Sequence, residues 1–207
     1  MNDSIINYKK LQSNFNAKKI KVLFFNTFEQ AKQNIIDSIP LNSSIGIGHS
    51  QTLIHMNLTN IFLSRGNTVY DKTSGKTKEE VIDLKKKALL SDFYISSANA
   101  ISEDGHIVNI DHSGNRVAAI TFGPEKVFIV VGRNKLRKNL NDAILRAKNI
   151  ASPKNAKRSG YNPPCVKLNK CINCLSKERV CNSLSIIEGQ HNKDRMTLII
   201  VDKDSGF

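Results

Sequence analysis

Short apolar runs rich in β-formers alternate with amphipathic helical segments along this chain, and that alternation limits the fold more than any other feature. A helix over 4–16 places Ile5, Leu11 and Phe15 partly on one side, and IKVLFFN at 20–26 reads as a buried strand. Thr27 is placed to cap FEQAKQNIIDSI, a helix whose Phe28, Ala31, Ile35 and Ile39 share a face until Pro40 ends it. SIGIGHSQTL at 44–53 reads as a strand breaking into a glycine-containing loop. Residues 59–66 read as helix and NTVYD at 67–71 as strand. EEVIDLKKKALL at 79–90 is amphipathic through Val81, Leu84, Ala88 and Leu89. DFYIS at 92–96, HIVNI at 106–110, VAAITF at 117–122 and VFIVVG at 127–132 read as strands. LNDAILRAKNIA at 140–151 reads as a helix stopped near Pro153, and MTLIIVD at 196–202 as the final strand. The pattern predicts an α/β fold, a mostly parallel sheet flanked by helices. In such sheets ligands sit beyond the carboxyl ends of the strands.

Two stretches fall there. The first is Gly46-x-Gly48-His49-Ser50-Gln51-Thr52, where glycines permit close backbone approach and Ser50 and Thr52 supply hydroxyls at the start of a helix. It lacks the third glycine of a dinucleotide loop and the lysine of a P-loop. The second is Ser96–Gly123, which sets Asn99, Glu103, Asp104, Asn109, Asp111, Asn115 and Arg116 among strand-like runs. Asp104-Gly105 and Ser113-Gly114 are turn dipeptides, so these groups gather at strand ends. Glu103 and Asp104, with Asp111 nearby in sequence, are candidate carboxylate bases. Arg116 has the planar fork to clamp a carboxylate or phosphate. No G-x-S-x-G elbow supports a serine nucleophile.

Of the net charge of +13, +11 lies between Arg133 and Arg179, where thirteen Lys or Arg face only Asp142 and Glu178. Such a region attracts an acidic protein or an anionic cofactor. Nucleic acid is disfavoured, because Tyr161 is its only aromatic and stacking platforms are missing. All four cysteines, Cys165, Cys171, Cys174 and Cys181, fall inside the same region in a C-x5-C-x2-C-x6-C array. Four clustered thiols suit zinc or a [4Fe–4S] cluster, and the spacing does not separate the two. Disulfides are disfavoured in the cytoplasm, the compartment expected of a chain with no apolar run near the roughly 18 residues of a membrane span and no visible secretory signal. The expected organisation is an α/β core at 1–152, a basic cysteine-rich appendage at 153–190, and a strand at 191–207 returning to the core.

SSANAISEDGHIVNIDHSGNRVAAITFGPEKVFIVVGRNKL resembles the central motif of the LUD-domain family, the lactate-utilisation proteins of the LutC and YkgG type. The likeness continues through A-x2-R-A-K-x-I-A-x-P-x-N-A-x-R at 143–158, the cysteine segment with its SKERVC ending, and the closing strand. SIGIGHSQTL resembles the family's first glycine loop, so the resemblance covers about 40–207. It implies a fold similar to the NagB/RpiA/CoA-transferase group and association with iron–sulfur subunits that oxidise L-lactate to pyruvate. Carried over by position, Gly48, Ser50 and Thr52 would form an anion-binding loop. Asn99, Glu103, Asp104, Asp111, Asn115 and Arg116 would line the pocket opposite. His49 and His112 depart from the family, which usually has a small residue at both places. The family's redox setting favours the iron–sulfur cluster over zinc. Three functions follow: a component of an L-lactate oxidation system, a stand-alone isomerase or CoA/acyl-transferase-like enzyme using Glu103, or a docking module.

Overall fold

The computed structural model describes residues 6–207, so the start of the expected first helix, with Ile5, lies outside the described residues. That helix, α1 (Tyr8–Ala17), opens at Asn7, whose side chain accepts from Lys10 N. It leads into β1 (Lys21–Phe25), α2 (Phe28–Ser38) and β2 (Ser44–Ile47). Short helices α3 (Gln51–Ile54) and α4 (Leu58–Ser64) precede β3 (Thr68–Asp71), α5 (Lys78–Ala88) and β4 (Phe93–Ser96). Then come β5 (Ala100–Ser102), β6 (His106–Asp111), α6 (Asn115–Thr121), β7 (Lys126–Gly132) and the two-residue β8 (Leu136–Arg137). Helices α7 (Leu140–Arg146), α8 (Ser152–Arg158) and α9 (Pro164–Leu168), then β9 (Ser183–Ile187) and β10 (Met196–Val201), complete the chain.

Six strands form a parallel sheet in the order β1-β10-β7-β4-β2-β3. Alternate residues of β7 go to opposite cores. Val127, Ile129 and Val131 pack with Leu11, Phe15 and Tyr94, while Phe128 and Val130 pack with Ala31, Ile35 and Phe62. A strand buried on both faces has no polar alternation, which is why these runs read as continuous apolar segments. Capping boxes at Thr27/Gln30 and Thr77/Glu80 fix the starts of α2 and α5. Among the described residues no helix is long and apolar enough to cross a membrane.

Three local expectations are corrected. VAAITF is not a strand. Gly114 turns the chain with φ +81°, and Val117, Ala119 and Ile120 are then buried as one face of α6. The helix at 140–151 does not stop at Pro153. A π-helical turn at Ala147–Ala151 joins α7 to α8, and that wider turn opens the backbone ladder where the missing N–H of Pro153 does no harm. Ser152 Oγ donates to Ala147 O across the same turn (2.9 Å). A second sheet, β8-β5-β6-β9, was also not expected. Its Ala100, Val108 and Ile110 pack under Ala143 and Ala147. Because β9 pairs antiparallel with β6, the cysteine segment is anchored in the core at its far end. At its near end Pro153 and Ala156 are buried.

Candidate functional site

A cavity of about 340 Å³ opens beyond the carboxyl ends of the parallel strands. Each wall follows from a strand ending. His49 and Ser50 come after β2, Lys72 after β3, Ser97 to Asn99 after β4, and Lys135 after β7. Asp111 and His112 come from the end of β6, Asn115 and Arg116 from α6, and Asn155 and Arg158 from α8. The two stretches singled out in the sequence thus meet across one space, as a sheet's strand ends allow.

Arg116 organises the floor. Its Nε donates to Asp111 Oδ1 (3.2 Å), Nη1 to Ser97 O (3.0 Å) and Asn109 Oδ1 (2.9 Å), and Nη2 to Asn99 Oδ1 (3.1 Å) and Ile110 O (2.8 Å). A guanidinium has five N–H donors, and all five are engaged. Arg116 is therefore no free clamp for a ligand. It supplies charge and holds β4, β6 and α6 in register. Asp111 keeps its second oxygen, Oδ2, buried beside the cavity and without a hydrogen-bond partner among the described residues.

The glycines also act differently from expectation. A Cβ on Gly46 would meet the Tyr94 ring at 2.8 Å, and one on Gly48 would meet Ser96 Oγ at 2.6 Å and Tyr94 Oη at 2.9 Å. They admit β4 side chains; neither lines the cavity. Ser50 caps a single-turn helix, accepting from Thr52 N (3.2 Å), and α3 is too short for a helix-dipole anion site. Thr52 is wholly buried and reaches the site only through Lys135.

Glu103 and Asp104 are not brought to the cavity. They sit at the β5–β6 turn against α1. Glu103 Oε2 accepts from Lys138 Nζ (2.7 Å) and Asn7 N (2.8 Å), with Lys10 3.8 Å from Oε1. Burial pushes its carboxyl up, but these donors outweigh burial and hold it below the usual range. Asp104 behaves alike, with burial opposed by hydrogen bonds from Ser102 and His106. Ser102, His106 and Asp104 make no relay. The hydroxyl (3.1 Å) and the carboxylate (2.9 Å) both address Nδ1, while Nε2 faces Lys18 (3.2 Å). The enzyme reading that relies on Glu103 loses its residue.

Sequence reasoning missed the cations that matter most. Among the described residues, Lys72, Lys85, Lys135 and Arg158 join Arg116 around the cavity, against Asp111 as the one acidic side chain. Lys135 is 2% exposed, and its Nζ donates to Thr52 Oγ1 (3.1 Å) and Ser97 Oγ (3.0 Å). Among the described residues neither Lys72 nor Lys135 has a carboxylate within ion-pair distance. Burial, then the nearby Arg146 and Arg116, pulls the Lys135 ammonium down to about 7. Burial and Lys85 lower Lys72 as well. His49 is pushed down by burial and Arg158, and its Nε2 lies 2.8 Å from Arg158 Nη1, so the ring stands neutral as an acceptor. His112 packs edge-on against Tyr161 at the rim (5.2 Å). One signal could have found Lys72 and Lys135: each stands just past the carboxyl end of a parallel strand.

The cysteines form a separate locus. Cys165 is buried, Cys171, Cys174 and Cys181 are half-buried, and all are free thiols. Burial, then the nearness of Cys174, Cys181 and Cys171, pushes the Cys165 thiol up, so the four sulfurs share a neighbourhood. Arg179 ties the loop by donating to Cys174 O (2.7 Å) and Cys181 O (3.0 Å). Among the described residues no three His, Cys, Asp or Glu side chains stand together closely enough to hold a metal ion as placed. The donor chemistry, one sulfur on α9 and three in the loop that follows, nonetheless suits a thiolate-bound centre.

No curated protein matches the sequence. The fold is similar to a crystal structure of a DUF162 family protein from Deinococcus radiodurans, with a TM-score of 0.53 and 11% identity over 94% of this chain and 95% of that one. A weaker likeness to eIF2B delta from Chaetomium thermophilum, TM-score 0.35 and 16% identity, spans 55% of this chain and 49% of that one. The family model described as the LUD domain matches residues 8–201, from the first helix to the last strand, and takes in both the cavity and the cysteine loop. On that match the chain belongs to the LUD-domain family.

Proposed function

We propose that this LUD-domain protein is a cytoplasmic component of an L-lactate utilisation system, working beside iron–sulfur partner subunits. It holds a small carboxylate or phosphate in the cavity and a thiolate-bound centre in the cysteine loop. The observation that carries the anion seat is the charge imbalance: among the described residues, five cationic side chains line the cavity against one acidic side chain. Among the described residues only Arg116 of the five has a carboxylate within ion-pair distance, and Lys135, the most buried of the rest, is a charge that is costly to leave unpaired unless a ligand completes it.

Calorimetric titration with L-lactate, pyruvate and inorganic phosphate tests the seat. At least one binds, and Lys72→Ala weakens it about tenfold or more, the loss of roughly 1.4 kcal/mol of charge–anion contact. Lys32→Ala, remote from the cavity lining, changes nothing. Failure of all three anions to bind, or equal affinity in Lys72→Ala, removes the proposal.

Cys165, Cys171, Cys174 and Cys181 would hold a [4Fe–4S] cluster, which supplies one-electron transfer, with zinc as the alternative. The lysines and arginines of 133–179 oppose the net negative charge of either centre. Anaerobically purified protein is expected to be brown and to bleach with dithionite. Cys174→Ser should lose the metal yet keep the circular dichroism of the sheet, because no cysteine lies on a strand. Colourless protein with one zinc selects zinc, and four titratable thiols without metal reject both centres.

A further inference from the structure

Lys135 is placed as a reactive amine, not merely as a counter-charge. It ends the tight turn Arg133–Lys135 after β7 and is almost entirely buried. Its two partners are both hydroxyls whose own protons point elsewhere: Thr52 Oγ1 donates to Ser205 O (3.4 Å), and Ser97 Oγ donates to Ala98 O (3.4 Å). Both hydroxyls therefore offer only lone pairs to Lys135. A neutral amine has two N–H bonds and one lone pair. The N–H bonds go to Thr52 and Ser97, so neither partner consumes the lone pair, and Lys135 lines the cavity.

The surroundings keep the amine dry. The chain folds back after β10 so that a Cβ on Gly206 would lie 2.7 Å from Thr52 Oγ1 and 3.2 Å from Lys135 Nζ. Asn134 pins that return by donating to Gly206 O (3.2 Å) and accepting from Ser205 N (3.1 Å). The nearest charges acting on the amine, Arg146 and Arg116, are of like sign, and burial among cations is one way proteins activate a lysine as a nucleophile. Lys72 and Arg158, elsewhere in the cavity lining, remain to receive an anionic group.

We infer that Lys135 Nζ condenses with the carbonyl carbon of a small ligand that also carries a carboxylate or phosphate. The amine lone pair forms the C–N bond, the carbonyl oxygen leaves as water with the two amine protons, and a C=N bond to Lys135 remains. The inference rests on the anion seat proposed above and names the ligand class, an anionic aldehyde or ketone.

Borohydride trapping tests it on the full chain, with pyridoxal 5′-phosphate as the aldehyde–phosphate probe and pyruvate as the oxo-acid probe. At substoichiometric probe, reduction and peptide mapping should find the adduct on Lys135 in preference to the exposed lysines. Inorganic phosphate should suppress it. The labelling rate at Lys135 should level off a little above neutral pH, whereas that of exposed lysines keeps rising. Lys135→Arg and Lys135→Met should lose the adduct, whereas Lys32→Ala, remote from the cavity lining, should keep both the adduct and phosphate binding. Phosphate binding without selective trapping at Lys135 overturns the imine and leaves the anion seat standing. Absence of both phosphate binding and trapping overturns both.

Discussion

Lys135→Met is expected to make the protein more stable at neutral and acidic pH while weakening its capture of anions. A methionine keeps the unbranched shape of the side chain, one atom shorter, and removes a charge whose partners among the described residues are hydroxyls. The lysine ammonium falls from 10.5 to about 7 in the folded chain, burial being the main cause and Arg146 and Arg116 the next. Each pKa unit is worth about 1.4 kcal/mol, so the fall from 10.5 to about 7 amounts to on the order of 5 kcal/mol; losing the hydrogen bonds to Thr52 and Ser97 gives back about 1–3 kcal/mol, and relief on the order of 2–4 kcal/mol is the expected gain. The sign follows from proton counting. Between about 7 and 10.5 the unfolded chain holds a proton on Lys135 that the folded chain has released, so wild-type stability rises with pH across that window. Below it both states are protonated and the whole penalty stands. Urea unfolding of both proteins should therefore show the largest advantage for Lys135→Met near pH 6, shrinking toward pH 10. A variant less stable than wild type near pH 6 would mean that the amine is compensated in the folded chain. Retaining a destabilising cation is what a site held for function would do.

Arg116→Ala should have the opposite and larger effect, a loss of about 3–5 kcal/mol. The truncation takes a donor from acceptors on Ser97, Asn99, Asn109 and Ile110 and leaves Asp111 without its cation. Arg116→Lys should recover little, since an ammonium has three donors and cannot reproduce a planar five-donor fork. Asp111→Asn placed on Arg116→Ala should restore part of the loss by removing the orphaned charge, an interaction a double-mutant cycle isolates. Should Arg116→Ala cost less than about 1 kcal/mol, the guanidinium would not be the hub of the floor, and the registration of β4, β6 and α6 would need another cause.

The identity of the chemistry-bearing residues depended on folding far more than the family did. Glu103 and Asp104 drew attention as adjacent carboxylates in a polar stretch, yet the β5–β6 turn carries them to α1, where Lys138, Lys10 and Asn7 occupy Glu103. Lys135 sits in a basic run where, by sequence, it looks like every solvated lysine around it. Only the return of residues 202–206 over Thr52 makes it a buried amine. The cysteine array was visible as spacing, whereas the arginine tie across its loop was not.

The six strands of the parallel sheet and the helices α2 and α5 were determined by the sequence itself, because their causes are local. The inner strands, buried on both faces, need continuous apolar runs, and Thr27/Gln30 and Thr77/Glu80 satisfy free helix N–H groups within one turn. The second sheet, the helical state of 115–121 and the continuation through Pro153 were decided by tertiary structure. Strands as short as Leu136–Arg137 exist only because a partner distant in the chain pairs with them. A run such as Val117–Ile120 fits either period until a core takes one of its faces. The cavity belongs with these, since its cations come from strand ends and helices far apart in sequence, and only the parallel register of the sheet brings them to one side.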